Sequence, residues 1–262
     1  MSTPPEALRY PVAPPSAVPR PFGLLSVAVE GEGSPAAGPA PWERGVDYYS
    51  PLCNRATGSL EGWCPEPDFE KELVPFDPVR VEGAPFTVTS GSICTAPSFD
   101  AEVEAEVQLA RGEAYRVEEL FFAGQLTRPE LADLGAASDI ACALGALEAY
   151  AASHYGARPV LHAPVVLLPL LFRDRLVERD GERIVTGWGT PVAVGAGYPQ
   201  SDPATLLITG QVTAWRTEPF VNSDFNVRKN ERLAIAERTY VLTADCLAAA
   251  ITVPGCPGGE TQ

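Results

Sequence analysis

The feature that most constrains the fold is a single long helical pattern between Ser98 and Gly124. Ser98 follows Pro97 and is suited to cap a helix N-terminus, acidic residues occupy the first turns, and Gly124 is suited to end the helix. The apolar side chains recur every three or four residues and form one narrow stripe: Val103, Val107, Ala110, Ala114, Val117 and Phe121. A helix of roughly 25 residues is about 37 Å long, about twice the usual length in globular proteins. We expect such a rod to lie across a sheet or along a subunit boundary.

Strands are expected to outnumber helices in the rest of the chain. The 262 residues include 23 glycines and 27 prolines, which favours many turns, and a 45% hydrophobic content is enough for a sizeable core. The later segments predicted as strands are Arg158–His162, Thr190–Val194, Leu206–Trp215, Val227–Leu242 and Leu247–Val253. Two further segments are predicted as helical, Ala136–His154 and Pro164–Arg175. The pattern indicates an α+β fold.

The first 96 residues have a different character. Residues 1–22 contain seven prolines and predict an extended arm that cannot fold alone. Within residues 23–96, strands are predicted at Leu24–Val29, Val79–Glu82 and Pro85–Thr89, on either side of an irregular, aromatic stretch. This pattern predicts a long two-stranded excursion with an elaborate tip. It has few regular apolar positions, so it must pack against something else.

The charge and the hydropathy exclude several classes of partner. With 34 acidic and 19 basic residues, the chain has a formal net charge of -15, and such a surface repels nucleic acid phosphates. The sequence has no apolar run long enough for a membrane span. Because the N-terminal residues lack the apolar run of a secretory signal, we expect the protein to start in a reducing cytoplasm.

The motifs of common enzyme classes are missing from the sequence. Gly187-Trp188-Gly189 and Gly195-Ala196-Gly197 begin like dinucleotide-binding loops, but the third glycine is absent from both. The two histidines, His154 and His162, have no neighbouring acid at a recognisable spacing, and we expect both to be structural. A paired-carboxylate site stays open because acidic residues are abundant, although a solvated acidic surface explains them better. We therefore predict no catalytic, cofactor-binding or metal site, no cofactor, and no enzyme activity.

The six cysteines form no Cys-x-x-Cys pair. Cys142 lies in an apolar helical pattern and is predicted to be a small core residue. Cys53 and Cys64 lie close together in a loop-like region, and a disulfide between them is one prediction, set against the reducing compartment.

Lys71 is a candidate for a covalent link between subunits. It is one of two lysines and lies within the excursion, while three asparagines lie near the start of the late sheet: Asn222, Asn226 and Asn230. A buried lysine that loses its proton could attack an asparagine, Asn222 in particular, and form an isopeptide bond. The alternative is a solvated surface lysine.

Three stretches and the order of the elements carry a resemblance to a known family. The stretches are Ala146-Leu147-Glu148 through Pro164, Gly189-Thr190-Pro191-Val192 with Gly197-Tyr198-Pro199, and Asn230-Glu231-Arg232 with Ala236 through Ile251. Together with the proline-rich arm, the excursion, the long helix and the returning strands, they resemble the Hong Kong 97-type fold. That fold belongs to the major capsid proteins of tailed bacteriophages and to encapsulins.

The resemblance implies a division of the chain. Residues 1–22 would be the N-arm, 23–96 the E-loop, 97–134 with 217–262 the P-domain with its spine helix, and 135–216 the A-domain. Since the chain is short and only 22 residues precede the E-loop, we expect any scaffold to be a separate protein.

The resemblance also implies a function. The chain would be a major capsid protein that self-assembles as pentamers and hexamers into an icosahedral phage head, with double-stranded DNA only as enclosed content. It would be part of the virion, assembled in the cytoplasm of the bacterial host, with scaffold, portal or decoration proteins as partners and no membrane contact. There are three alternatives: an encapsulin-type nanocompartment shell, a sheet-rich tail or virion module, and a soluble enzyme. The long helix disfavours the sheet-rich module.

Overall fold

The computed structural model describes residues 21–53, 77–95 and 100–254. Four α-helices lie in this part of the chain: α1 (Leu24–Val27), α2 (Ala101–Leu126), α3 (Ile140–His154) and α4 (Leu168–Arg173). Two short 3-10 helices occupy Pro41–Arg44 and Val165–Leu167. None of the helices in the described ranges is long and apolar enough to cross a lipid bilayer.

Fourteen strands accompany these helices within the described residues. The first five are β1 (Val29–Glu30), β2 (Val46–Ser50), β3 (Val79–Gly83), β4 (Pro85–Cys94) and β5 (Ala132–Ala136). The next five are β6 (Val160–Pro164), β7 (Val177–Asp180), β8 (Arg183–Thr186), β9 (Val192–Gly195) and β10 (Ala204–Thr209). The last four are β11 (Val212–Arg216), β12 (Phe220–Asn226), β13 (Glu231–Ala244) and β14 (Ala248–Val253). The predicted α+β class is confirmed.

Most of these strands belong to two five-stranded sheets. In the first sheet, the long β13 pairs with β4 along one edge and with β12 and β11 along the other, and β1 joins β11 in parallel. In the second sheet the order is β5-β14-β10-β6-β9. Two antiparallel pairs stand apart, β2 with β3 and β7 with β8.

Each large sheet packs against one helix and forms its own core. The first core lies between α2 and the first sheet and includes Val88, Leu109, Phe121, Ala234, Ala236 and Tyr240. The second core lies between α3 and the second sheet and includes Leu144, Leu147, Leu161, Leu206, Ile208 and Ile251. The chain crosses between the sheets three times within the described residues: through α2 between β4 and β5, at Gly210–Gln211, and at residues 245–247. We call residues 245–247 the sheet junction.

The predicted long helix is present as α2, but its buried face differs from the predicted stripe. Asp100 caps the helix by accepting hydrogen bonds from the amides of Glu102 and Val103, whereas Ser98 lies outside the described residues. Val103 is 52% exposed. Val117 and Phe121 of the predicted stripe are buried, and the other buried apolar residues of the helix are Ala101, Ala105, Leu109 and Phe122. Only the first half of the predicted stripe is wrong, because small alanines, rather than the larger valines, let this part of the helix approach β4 and β13 closely.

The predicted strand at Leu24–Val29 is wrong for most of its length. Leu24–Val27 forms the single-turn helix α1, and only Val29–Glu30 pairs with β11. The turn arises because the backbone at and just before Leu24 is hydrogen-bonded to distant parts of the chain. The Leu24 amide donates to the Glu118 carboxylate, and the Phe22 carbonyl accepts a hydrogen bond from the Val194 amide.

The excursion is described at its base. β2 and β3 form an antiparallel pair, which we call the ribbon, running from Val46 opposite Gly83 to Ser50 opposite Val79. The predicted tip falls on residues 54–76, outside the described ranges. β4 leaves the ribbon and pairs with β13 over ten residues, from Pro85 opposite Val241 to Cys94 opposite Arg232. Both strands predicted for this region are therefore present, but they belong to different sheets.

The remaining predicted elements are present with shifted boundaries. The second predicted helix begins at Ile140 rather than Ala136, because the Asp139 side chain accepts a hydrogen bond from the Cys142 amide and caps it there. Residues 206–215 are two strands, since the chain crosses from one sheet to the other at Gly210–Gln211. The predicted strand at 227–242 begins at Glu231 and follows β12, with which it pairs antiparallel.

Candidate functional site

The predicted partners of the isopeptide bond are only partly described. Lys71 and Cys64 lie outside the described residues. Asn222 is on β12, exposed, and opposite Ile235 of β13. An approaching side chain from another molecule could therefore reach Asn222, although its pairing with Lys71 stays a prediction.

The prediction of a Cys53–Cys64 disulfide is wrong, because Cys53 is bonded to Cys246. The Cα atoms of this pair are 6.1 Å apart and 193 residues apart in sequence. The chain turns back after β2 and brings Cys53 against the sheet junction rather than along its own loop. Sequence proximity favoured Cys64, and nothing in the spacing of the cysteines could have revealed Cys246.

The prediction that Cys142 is a core residue is also wrong. Cys142 is exposed in the first turn of α3. The neighbouring Ala143, Leu144 and Leu147 take the buried positions. A cysteine one position away from the buried face is solvated even when the segment around it is apolar.

A network of buried polar groups surrounds the sheet junction. Tyr155 donates to the Asp245 carboxylate at 3.1 Å and accepts from the Gln211 amide at 2.9 Å. Asp245 also accepts from the Cys246 amide at 2.8 Å. Burial, with a contribution from Asp245, raises the pKa of Tyr155, so the phenol keeps its proton and its role as donor. Arg128 completes the network by donating to the carbonyls of Ala244 and Asp245.

His162 lies in a second buried cluster, between α2 and the second sheet. Its ring contacts Phe121, its Nδ1 is 3.0 Å from the Tyr198 hydroxyl, and its Nε2 is 2.8 Å from the Thr209 hydroxyl. Burial lowers the pKa of His162 to about 3, so the ring is neutral at ordinary pH. A fully buried ring with both nitrogens hydrogen-bonded is positioned to hold elements together.

His154, unlike the buried His162, is exposed to solvent. It ends α3, stacks on Tyr150 at a ring distance of 4.1 Å, and its Nδ1 lies 2.9 Å from the Tyr150 carbonyl. Within the described residues, no group of three or more histidine, cysteine and acidic side chains is arranged to hold a metal ion.

Glu118 is a buried carboxylate that the sequence reasoning did not single out. One oxygen accepts from the Leu24 amide at 3.2 Å and the other from the Gly197 amide at 3.0 Å. It thereby joins α2 to the N-terminal segment and to the loop after β9. A signal was present in the sequence, because position 118 is three and four residues from Phe121 and Phe122 and so falls within the buried stripe.

One face of the first sheet packs against α2, and the opposite face, which we call the uncovered face, is exposed along the first part of β13 and covered by the ribbon at Val241 and Thr243. Even-numbered residues of β13, such as Ala234 and Ala236, are buried under α2. The odd-numbered residues and their neighbours across the strands point away from the helix. On this outward face, large apolar side chains are strongly exposed: Ile93 at 69%, Phe220 at 63% and Ile235 at 49%. An uncovered row of this kind indicates a contact surface.

Comparisons with known proteins identify the fold. No protein-family model matches the chain, and no curated protein matches its sequence. Solved structures do match: the capsid of a native GTA particle has a TM-score of 0.60 at 14% identity, covering 95% of this chain and 96% of that one. The capsid of an empty GTA particle gives 0.59 at 15% identity over 94% of both chains. A structure from Mycobacterium phage Cain gives 0.55 at 10% identity, over 90% of this chain and 92% of that one. The chain therefore has the predicted Hong Kong 97-like capsid fold.

Proposed function

We propose that this chain is the major capsid protein of a tailed-phage-type particle and assembles into an icosahedral shell. The observation that carries the proposal is the extent of the fold likeness. The GTA capsid chains match over at least 94% of their own length and of this chain.

The uncovered face of the first sheet supports this proposal independently of the comparisons. Ile93, Phe220 and Ile235 lie on neighbouring strands and on the same face of the sheet. Burial of such apolar surface yields about 25 cal/mol per Å2. A shell subunit would cover this face by contact with neighbours, and its stability would then be coupled to assembly.

The acidic composition suits a shell around nucleic acid. With a net charge of -15, the chain would hold double-stranded DNA as enclosed content without binding it tightly. The proposed partners are other copies in pentamers and hexamers, together with separate scaffold, portal or decoration proteins. The proposed location is the virion, after assembly in the cytoplasm of the bacterial host. The proposed role is structural, without catalysis.

We also propose the division into an N-arm (1–22), an E-loop (23–96), a P-domain (97–134 and 217–262) and an A-domain (135–216). In this division, α2, β12 and β13 fall in the P-domain, β1 and β4 of the first sheet fall in the E-loop, and α3 with most of the second sheet falls in the A-domain. β14 pairs with β10 and β5, so the chain returns to the second sheet after passing through the first.

Particle size tests the proposed function. The full chain, expressed in bacteria alone and with a candidate scaffold protein, is expected to elute as capsomers or larger assemblies and to show closed shells by negative-stain microscopy. A charge on the uncovered sheet face, Ile235→Asp, should prevent assembly, whereas Ile235→Val at the same site should preserve it. A monomer at every concentration, with no co-assembly when scaffold is added, would rule the proposal out.

The contents of the particles separate a phage head from an encapsulin-type compartment. A phage head assembled with its packaging proteins should contain nuclease-protected DNA. A nanocompartment should instead contain a cargo protein and no protected DNA. Recovery of shells filled with one cargo enzyme would favour the encapsulin alternative.

Covalent linkage through Lys71 and Asn222 is a further part of the proposal. The exposure of Asn222 on β12 supports it. Mature particles run on a denaturing gel with reductant should show a ladder of linked chains, which Lys71→Arg and Asn222→Ala should both abolish. A single monomer band from wild-type particles would show that no such link forms.

A further inference from the structure

The ribbon is attached to the first sheet at its Gly83 end. Gly83 lies so close to β13 that an added Cβ would come within 2.7 Å of the Thr243 side chain and 2.8 Å of the Val241 side chain. Val81 of the same strand is also buried. This attachment consists of packing and of a hydrogen bond between the hydroxyls of Tyr48 and Thr243 at 3.4 Å, which allow a ribbon to pivot more easily than a covalent crosslink would.

A groove separates the ribbon from the C-terminal end of α2. Its volume is about 690 Å3, and it is lined by Arg80 and Glu82 from the ribbon and by Leu120 and Arg128 from the opposite side. Atoms on the two sides of an open groove gain little dispersion energy from each other. The helix therefore does little to fix the angle of the ribbon, which depends on its two ends.

The second end of the ribbon is fastened at the sheet junction. Cys53 follows β2 closely and is bonded to Cys246. Hydrogen bonds hold the same segments together without the sulfur bond. The Gly156 amide donates to the Leu52 carbonyl at 2.7 Å, and the Ser50 hydroxyl donates to the Cys246 sulfur at 3.6 Å. These contacts keep the two cysteines close to each other, so the bond can open and close without refolding.

The two sulfur-bearing residues differ in access to solvent. Cys53 is half-buried, whereas Cys246 is buried in the second core. A small reagent dissolved in the medium therefore reaches Cys53 first, and Cys246 can then complete the exchange from inside.

We infer that the Cys53–Cys246 bond is a redox-controlled staple that fixes the angle at which the ribbon leaves the body of the subunit. In a reducing medium the cysteines are thiols, and the ribbon is held by packing at Gly83 and by the hydrogen bonds of Ser50 and Leu52. In an oxidising medium the bond closes and the ribbon becomes rigid. This inference rests on the proposed function, in which the shell is built in a cytoplasm and then released from the cell.

The chemistry requires an oxidant, for which a small-molecule disulfide such as glutathione disulfide is sufficient. The Cys53 thiolate attacks it, forms a mixed disulfide and releases one thiolate. The Cys246 thiolate then attacks the Cys53 sulfur, forms the internal bond and releases the second thiolate. Two protein thiols and one external disulfide thereby become one protein disulfide and two external thiols.

The test compares the full chain in two media, with capsomers or shells equilibrated in glutathione disulfide or in dithiothreitol. Non-reducing peptide mapping should find Cys53 linked to Cys246 in the oxidised sample. Amide hydrogen exchange at β2 and β3 should become about tenfold faster on reduction, because local opening costs less without the staple, while exchange in α3 should not change. In Cys53→Ser, the amides of β2 and β3 should exchange quickly in both media. Cys142→Ser changes an exposed cysteine and serves as the control, and its amides should exchange as in wild type.

Several results would overturn the staple. The first is amide hydrogen exchange in the ribbon at equal rates in both media. The second is an oxidised sample in which Cys53 and Cys246 are not bonded, or in which Cys53 is bonded to another cysteine such as Cys64. Wild type in dithiothreitol supplies the comparison if Cys53→Ser does not fold. If the chain forms shells but amide exchange in its ribbon is the same in both media, the redox-controlled staple is wrong and the proposed function is still supported. Redox-dependent exchange in a chain that never assembles would support the staple and reject the proposed function.

Discussion

The Oε2 atom of Glu118 accepts a hydrogen bond from the backbone amide of Gly197 at 3.0 Å, which joins the middle of α2 to the loop after β9. The other carboxylate oxygen accepts from the amide of Leu24. One buried side chain thus connects three segments that are 79 and 94 residues apart in sequence. This side chain therefore joins the long helix, the N-terminal segment and the loop after β9.

Removing the Glu118 carboxylate should destabilise the fold. In Glu118→Ala, two buried amides lose their acceptor, and each such loss costs about 1–3 kcal/mol. We expect a decrease of about 2–5 kcal/mol in the free energy of unfolding, measured by urea denaturation of the unassembled chain. Glu118→Gln retains one acceptor oxygen and should fall between this variant and wild type.

Glu106→Ala is the matched control on the same helix, because Glu106 is exposed. It should change the free energy of unfolding by less than about 0.5 kcal/mol. Equal losses for the variants at positions 106 and 118 would mean that the buried contact of Glu118 is not what stabilises the fold.

A second prediction concerns the partner of this contact, Gly197. An added Cβ at position 197 would come within 2.0 Å of the Tyr115 carbonyl oxygen and 2.8 Å of the Glu119 amide nitrogen, both backbone atoms of α2. Neither backbone atom can move without displacing the helix. Gly197→Ala should therefore lower the free energy of unfolding by at least about 2 kcal/mol.

Gly91→Ala on β4 is the corresponding control, since its nearest neighbour would be the Ala234 carbonyl at 3.7 Å, an ordinary contact distance. Thermal unfolding followed by circular dichroism should show a lower Tm for the change at 197 and little shift for the change at 91. Similar Tm values for the two variants would contradict the close packing of the loop on α2.

A third prediction concerns the half-buried ion pair under the first sheet. Arg238 contacts both carboxylate oxygens of Glu113 at 2.8 Å, and Tyr240 donates to one of them at 2.9 Å. Burial raises the pKa of Tyr240 to about 12, which keeps the phenol protonated as a donor. Arg238→Met should lower the free energy of unfolding by about 2–4 kcal/mol, because it leaves Glu113 without a counter-charge. This loss lies between those measured for exposed and for fully buried ion pairs.

The double variant Glu113→Gln with Arg238→Met should recover part of this loss, since glutamine is neutral and still accepts from Tyr240. The exposed pair Arg116–Glu119 on the same helix supplies the control, and Arg116→Met should cost less than about 1 kcal/mol. Urea denaturation of wild type, Arg238→Met, Glu113→Gln and the double variant measures the coupling between the two side chains. If the double variant were less stable than Arg238→Met alone, the cost would not come from an unpaired charge.

The sequence predicted best the features that depend on local periodicity. The length of α2 follows from residues that are close together in the chain, and it is present in the structure. The buried face of α2 was harder to predict, because it depends on which side chains are small enough to let the helix approach the sheet. Ala101 and Ala105 decide this, and a hydrophobicity pattern gives them less weight than Val103.

Contacts between distant residues could not be predicted from the sequence. Cys53 and Cys246 meet because β2 returns to the junction between the two sheets, which is a property of the whole topology. The same holds for Glu118 with Leu24 and for His162 with Tyr198. A spacing rule detects partners within a turn or two of a helix, and these pairs have no such spacing.

A fourth prediction concerns the response of stability to acid. Because burial lowers the pKa of His162 to about 3 in the folded chain, against about 6.5 when unfolded, the unfolded chain binds one more proton between these pH values. Stability from this group is therefore fully present above about pH 6.5 and is lost as the pH falls towards 3. The loss approaches about 5 kcal/mol at the lower limit.

Replacing the ring with a neutral amide should flatten this dependence. His162→Gln can still donate and accept hydrogen bonds near Tyr198 and Thr209, and it cannot gain a proton. Its free energy of unfolding at pH 7 should be lower than that of wild type, because the glutamine fills the site less well. The difference between the two proteins should shrink from pH 6.5 to pH 4, when both are measured by urea denaturation of the unassembled chain. His154→Gln, at the exposed end of α3, should follow the wild-type curve. A constant difference between His162→Gln and wild type over this range would show that His162 does not carry the acid sensitivity.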